Sequence, residues 1–185
     1  MNKFIDLKKH YNERMIYPKD TPLSLDGIFD HMYFPLEDFA EYDTPVKFEN
    51  VEFMLSNNSA SHDCVQCFGQ TVEVLGATGN LLYVLGFSVW GRFQDIFTIK
   101  YENGMKEELK VHLCDIGIDY ESQFFFDEIN KENEGVGIIF KKAILFNRFL
   151  NCYSFKCKLS VKSPIQSIKF PQNEFMYVFA ITIKG

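Results

Sequence analysis

The chain has 185 residues and carries 19 Lys and Arg against 25 Asp and Glu, a formal net charge of -6. Binding to a phosphate backbone needs clustered cationic side chains, so this acidic balance excludes nucleic acid as the expected partner. No apolar run reaches the ~18 residues of a membrane-spanning helix, and the first residues lack the apolar core of a signal peptide. We therefore expect a cytoplasmic protein without a membrane partner.

Aromatic side chains are unusually frequent, with 20 Phe and 9 Tyr among a hydrophobic content of 46%. Aromatic residues favour strands, and a chain of this length can bury about 70% of the surface that it exposes when unfolded. No Pro, Gly or Ser-rich linker divides it. The composition predicts one all-β domain over residues 1–185, and the odd number of five cysteines predicts reduced, mostly buried thiols.

A Cys-x-x-Cys pair begins an apolar segment and raises the question of a metal site. His62, Cys64 and Cys67 would supply three ligands of a tetrahedral zinc site, with Cys152 or Cys157 as a fourth. Residues three apart on an extended segment point to opposite faces, which argues against such a site. The favoured interpretation is that these cysteines are small buried hydrophobic residues, so that no metal and no cofactor is predicted.

The segment Leu81–Trp90 is apolar at both odd and even positions. A strand that is buried on both faces has this pattern, so we predict a central strand of a sheet. The glycines at Gly76 and Gly79 precede this strand without the Lys of a phosphate-binding loop and without a following helix. They indicate a turn.

The best hairpin spans Phe93–Cys114, two alternating runs on either side of an Asn-Gly pair. A three-residue loop at 102–104 pairs Phe97 with Leu109 and keeps the apolar side chains of both strands on one face. Gly104 then takes the left-handed position of the loop.

The rest of the chain predicts further strands. They are Tyr153–Val161, Ile165–Phe170 and Met176–Ile183. Between the hairpin and these strands lies a long, partly irregular excursion over about 115–151, in which only Phe124–Glu132 and Phe140–Phe149 have a helical pattern. The fold class is therefore all-β, an antiparallel two-sheet β-sandwich of the jelly-roll or galactose-binding-like kind.

Several segments, in order and spacing, resemble those of a known family. They are Ile5–Leu7, Leu25–Gly27, Tyr33–Pro35, Val46–Phe53, Gly69–Val72, Leu81–Gly86, Asn103–Gly104, Ile165–Pro171 and Tyr177–Thr182. Together they make the chain similar, almost end to end, to the β-sandwich, galactose-binding-like accessory modules of bacterial glycoside hydrolases. The resemblance implies a sugar-associated sandwich that is not itself an enzyme. Such modules normally follow a catalytic domain and a secretion signal, neither of which is seen here, so we expect a stand-alone relative whose ligand differs or is absent.

A sugar site needs an exposed aromatic ring to stack on the apolar face of a pyranose, and polar groups to pair with its hydroxyls. Trp90, the single tryptophan, ends the predicted central strand beside Arg92 and Gln94, which offer two polar side chains at the same rim. This cluster is the first candidate for carbohydrate binding. The alternative is that Trp90 caps the core.

Two further groups are candidates for the same ligand. One is Asp30, His31 and Tyr33, in a predicted loop, and the other is Tyr120 and Arg148, which flank the long excursion. For each of these groups, ordinary surface is the competing interpretation.

Other function classes remain open from the sequence. One is a structural or oligomerisation module whose aromatic surface contacts another chain, including a second copy of this one. A more distant alternative is an enzyme, either metal-dependent or a glycosidase, since paired carboxylates such as Glu37 with Asp38 or Glu107 with Glu108 serve glycosidases when two face each other across a cleft. Exposed charge is the favoured interpretation of those pairs.

Overall fold

The structure is a computed structural model that describes residues 2–17, 34–35, 41–48, 50–116, 136–143 and 149–185. The strands in these residues are β1 (Asn2–Phe4), β2 (Ile16–Tyr17), β3 (Phe34–Pro35), β4 (Pro45–Phe48), β5 (Val51–Met54), β6 (Val65–Phe68), β7 (Thr71–Ala77), β8 (Leu81–Ser88), β9 (Phe93–Tyr101), β10 (Lys106–Leu113), β11 (Val136–Ala143), β12 (Phe149–Lys158), β13 (Ile165–Lys169) and β14 (Gln172–Lys184). The all-β prediction is confirmed.

The larger sheet has six strands in the order β1-β14-β8-β12-β11, and β6 pairs with β14 as well. All of these pairings are antiparallel. Strand β8 lies between β14 and β12 and is buried along most of its length. The predicted central strand is therefore confirmed. It ends at Ser88, two residues before Trp90, and we call the edge formed by Trp90, Arg92 and Gln94 the Trp90 rim.

The smaller sheet has four antiparallel strands in the order β10-β9-β13-β7. Its inner face packs against the larger sheet, since β10 contacts both β8 and β12. Aromatic rings pack between the sheets. The ring centroids of Phe97 in β9 and Phe170 are 5.1 Å apart. The buried side chains of both sheets form one hydrophobic core, as a two-sheet β-sandwich requires.

The β9–β10 hairpin has the predicted register. Phe97 lies opposite Leu109, and the backbone N–H of Tyr101 donates to the carbonyl oxygen of Met105 at 2.9 Å across a three-residue loop. Gly104 has φ of 84°, the left-handed conformation that the loop requires. The odd-numbered positions of β9 thus face the core, and the even-numbered positions face outward.

Within the excursion over 115–151, the described residues include strand structure that was not predicted. Strand β11 pairs with β12, which begins at Phe149 rather than at Tyr153. The helix predicted over Phe140–Phe149 is wrong at its described residues, because residues 140–143 and 149 are in strands that pair with each other, and strand pairing overrides a weak local helical pattern. The helix predicted over Phe124–Glu132 lies outside the described residues.

All five cysteines are free and buried, as predicted. In the part of the chain described above, no helix is both long and apolar enough to cross a membrane.

Candidate functional site

Trp90 lies just beyond the end of β8, at the turn that leads from the large sheet to the small one. Its side chain is 72% exposed, whereas the neighbouring Val89 is buried. Arg92 and Gln94, which follow along the chain, are exposed as well. The structure therefore rules out Trp90 as a cap of the core and leaves all three residues of the first candidate site exposed.

The backbone at this turn is strained. Trp90 has φ of 62° and Gly91 has φ of 135°. A bulky residue with left-handed backbone is rare and costs on the order of 1–3 kcal/mol, so the surrounding structure must hold it there.

Hydrogen bonds from both sheets hold the turn. The Ser88 hydroxyl lies 2.7 Å from the carbonyl oxygen of Gly91 and 2.9 Å from that of Leu113. A carboxylate oxygen of Asp115 accepts a hydrogen bond from the backbone N–H of Gly91. The backbone N–H of Val89 donates to the carbonyl oxygen of Phe175 at 3.0 Å. The indole is thus carried by a backbone that is fixed before any ligand arrives.

An aromatic stack supports the rim. The rings of Phe93 and Phe175 are nearly parallel, with centroids 5.1 Å apart, and both are half-buried. Beside them the Asn173 amide donates to the Asp95 carboxylate at 3.1 Å, which ties β14 to β9. The rim therefore has a rigid base made of side chains from two sheets.

The thiol closest in sequence to the rim is unsuited to nucleophilic chemistry. Burial raises the pKa of Cys114 to about 12, although Arg92 acts in the opposite direction. The thiol is therefore protonated at neutral pH, and a thiol is a poor nucleophile compared with a thiolate. The exposed groups of this site are a flat ring and polar side chains.

Predicted residues at the other candidate sites fall outside the described residues. These are Asp30, His31, Tyr33, Tyr120 and Arg148, together with the carboxylates Glu37 and Asp38.

The Cys-x-x-Cys pair does not form a metal site with His62. Cys64 and Cys67 are both completely buried, and the Cys64 thiol donates to the carbonyl oxygen of Glu13 at 3.6 Å. Burial raises the pKa of both thiols, which opposes the thiolate form that binds zinc. Among the described residues, no group of three His, Cys, Asp or Glu side chains is placed to hold a metal ion.

The Glu107 and Glu108 side chains point to opposite faces of β10. Glu107 lies on the inner face, where its carboxylate accepts hydrogen bonds from the Tyr101 hydroxyl and from the backbone N–H of Ser160. Burial acts to raise the pKa of Glu107, but the hydrogen bonds outweigh it and hold the pKa below its usual value. Glu108 is exposed on the outer face, so the two carboxylates do not flank a common cleft.

Sequence reasoning missed the residues that position Trp90. Ser88 bonds to the turn from β8 and Asp115 from the segment after β10, and the Phe93–Phe175 pair joins segments about 80 positions apart. No local spacing signals such contacts, because they arise only when the two sheets pack together.

The fold and this rim define a β-sandwich domain with an exposed aromatic platform at the end of its central strand. The family model for the AziU2-like beta-sandwich domain matches residues 2–185, and the chain belongs to that family. A comparison with curated proteins found none that matches. The resemblance to accessory modules is thus confirmed for the β-sandwich, while its association with sugars and glycoside hydrolases remains a prediction.

Proposed function

We propose that this chain is a non-catalytic carbohydrate-binding domain in which a sugar ring stacks on Trp90. The observation that supports the proposal is the indole that is 72% exposed on a backbone held by Ser88 and Asp115. A pyranose presents an apolar C–H face that fits a flat aromatic ring. Because the ring's backbone is already ordered, binding costs less conformational entropy than it would on a mobile loop.

The polar side chains at the rim suit the same ligand. Arg92 and Gln94 are exposed and follow Trp90 by two and four positions, and they carry N–H donors and, in Gln94, an acceptor for sugar hydroxyls. The rim is open, so a single sugar buries little area and competes with water for each hydroxyl. We expect weak binding of monosaccharides and tighter binding of oligosaccharides.

A binding role, rather than catalysis, agrees with the state of the nearby ionisable groups. Asp115 accepts from Gly91, Asp95 accepts from Asn173, and the Cys114 thiol is buried with a raised pKa. These groups hold the turn and the strands together, so their structural role favours a non-catalytic site.

Tryptophan fluorescence tests the proposal, because Trp90 is the single tryptophan of the chain. Titration with a panel of neutral and acidic oligosaccharides is expected to change its emission saturably for at least one sugar. Trp90→Ala should abolish binding in calorimetry, whereas Met105→Ala, which removes another exposed apolar side chain at the far end of β9, should leave it intact. Unchanged emission across the panel, with no heat of binding, would count against the proposal.

A second candidate is an oligomerisation or protein-interaction module. Leu75 and Met105 are exposed at 89% and 52%, and they lie at the same end of the small sheet, since a Cβ on Gly76 would come within 3.5 Å of the Glu102 carboxylate. Exposed apolar side chains of this size mark contact surfaces when they cluster. Light scattering that shows a dimer, lost in Leu75→Asp, together with no sugar binding, would favour this candidate over the first.

A further inference from the structure

The outer face of the four-stranded sheet carries an excess of positive charge. By register, Lys100 lies directly opposite Lys106, and Lys169 lies opposite Thr98 on the next strand. Lys110 pairs with Ile96 further toward the Trp90 end. All four lysines are exposed. We call this surface, defined by Lys100, Lys106, Lys110 and Lys169, the lysine face.

The lysine face stands out against the rest of the molecule. The carboxylates on this outward side of the register are Glu73 and Glu108, and the exposed Glu102 follows Lys100 at the loop end of the sheet, whereas the whole chain has 25 acidic residues and a net charge of -6. Lys100 and Lys106 lie directly opposite each other on β9 and β10. Like charges in this position are unfavourable for an antiparallel strand pair. In the part of the chain that the structure describes, no hydrogen bond or ion pair engages the four ammonium groups. Their charge is therefore available to a ligand.

This surface is continuous with the Trp90 rim. Gln94, Ile96, Thr98 and Lys100 alternate along the outer side of β9, the strand that starts three residues after Trp90. At ~3.3 Å per residue, the stretch from Gln94 to Lys100 is about 20 Å long. Its length suits an extended ligand of several units rather than a single small molecule.

We propose that the lysine face binds the carboxylates of a uronic acid-containing oligosaccharide, one end of which stacks on Trp90. This inference rests on the proposed function and adds the class of sugar. Four ammonium groups, interspersed with three carboxylates, occupy the register positions of residues 96–100 of β9, a length of about 13 Å, and form a sparse array. That spacing matches one negative charge per sugar ring, whereas densely charged sulfated chains and nucleic acids call for a denser cationic surface.

The test compares oligogalacturonate with the same oligosaccharide after methyl esterification, which keeps the rings and removes the charge. Calorimetry is expected to show at least about tenfold tighter binding of the charged form at low salt, with the difference shrinking as salt screens it. The double variant Lys100→Glu, Lys106→Glu should weaken oligogalacturonate binding about tenfold. The matched double variant Lys9→Glu, Lys158→Glu, which changes two exposed lysines elsewhere, should not.

Three results would overturn the inference. One is equal affinity for oligogalacturonate and its methyl ester. That result would show that the charge is not recognised, but it would still agree with sugar binding at Trp90. Another is tighter binding of a sulfated oligosaccharide or a single-stranded oligonucleotide than of oligogalacturonate, which would indicate a general polyanion surface. The third is oligogalacturonate binding that survives Trp90→Ala unchanged. Failure of every sugar, charged or neutral, would remove the proposed function as well.

Discussion

The carboxylate of Asp115 accepts a hydrogen bond from the backbone N–H of Gly91, and this bond joins the segment after β10 to the turn that carries Trp90. Ser88 adds a second tie, because its hydroxyl reaches carbonyl oxygens of the same turn and of β10. The exposed ring is therefore positioned by residues that a ligand need not touch. Asp115 acts as a positioning residue in this account.

Removing that acceptor should loosen the rim. Asp115→Ala is expected to lower the free energy of unfolding by about 1–2 kcal/mol, because the buried side of the turn loses a charged hydrogen-bond acceptor. It should also weaken oligosaccharide binding and increase acrylamide quenching of Trp90. Asp115→Asn keeps an acceptor oxygen, so its stability, its oligosaccharide binding and its acrylamide quenching should be close to those of the wild type. Equal effects of the two variants on binding would show that the bond does not position the ring.

The backbone strain at Trp90 predicts that a glycine variant is more stable than an alanine variant at this position. Both Trp90→Ala and Trp90→Gly delete the ring, but only glycine adopts φ near 62° without steric cost. Urea unfolding is expected to find the Gly variant about 1 kcal/mol more stable than the Ala variant, the reverse of the usual order for glycine and alanine. If Ala were the more stable, the turn would have relaxed out of the left-handed conformation.

Gly86 is required for a different reason, the space between β8 and β14. A Cβ at this position would come within 2.2 Å of the carbonyl oxygen of Tyr177, which is backbone and cannot rotate away. Gly86→Ala should therefore cost about 3 kcal/mol or more in the free energy of unfolding. Gly104→Ala is the matched control, since it meets no atom within 4 Å and carries only the conformational cost of φ of 84°, about 1 kcal/mol. Comparable losses in the two variants would contradict the steric explanation.

Asp63 links the amino-terminal segment to the core. Its buried carboxylate accepts hydrogen bonds from the backbone N–H groups of Met15 at 2.8 Å and Ile16 at 3.0 Å, and from the Tyr42 hydroxyl at 3.0 Å. Burial raises the pKa of Asp63 to about 6, although these bonds and Arg14 act in the opposite direction. The folded protein thus retains a proton that the unfolded chain releases near pH 4.

The raised pKa of Asp63 determines how the free energy of unfolding changes with pH. The stabilisation from Asp63 is complete below about pH 4 and is lost as the pH rises to about 6, a decrease of about 3 kcal/mol in the free energy of unfolding. Urea unfolding at several pH values should show this slope in the wild type and a much smaller one in Asp63→Asn. Asp6→Asn, a change at an exposed carboxylate, should keep the slope. Equal slopes in the wild type and in Asp63→Asn between pH 4 and 6 would contradict the raised pKa.

Much of the fold could be predicted because local pattern and burial agree there. In the β9–β10 hairpin, a loop longer or shorter by one residue would place Phe97 and Leu109 on opposite faces, so the hydrophobic pattern selects one register. In β8, apolar side chains at every position are stable only between two neighbouring strands.

The remainder depends on contacts that the local sequence does not encode. Strand β11 was missed because its pairing partner, β12, determines its conformation. The exposure of Trp90 could not be predicted either, because residues on both faces of β8 are buried and the outcome depends on where the chain turns away from the sheet. The hydrogen bond from Gly91 to Asp115 depends on the conformation of the same turn, so it could not be predicted from the sequence either.

The most direct test of the account observes the Trp90 indole itself. As the single tryptophan, it gives one indole N–H signal in a heteronuclear spectrum of ¹⁵N-labelled protein, and oligogalacturonate can be titrated against it. We expect a saturable shift of that signal, accompanied by shifts of the Arg92 and Gln94 backbone amides, and we expect saturation at higher ligand concentration in Asp115→Ala. A ligand that binds by calorimetry while leaving the indole signal in place would contradict the role of Trp90 as the binding platform.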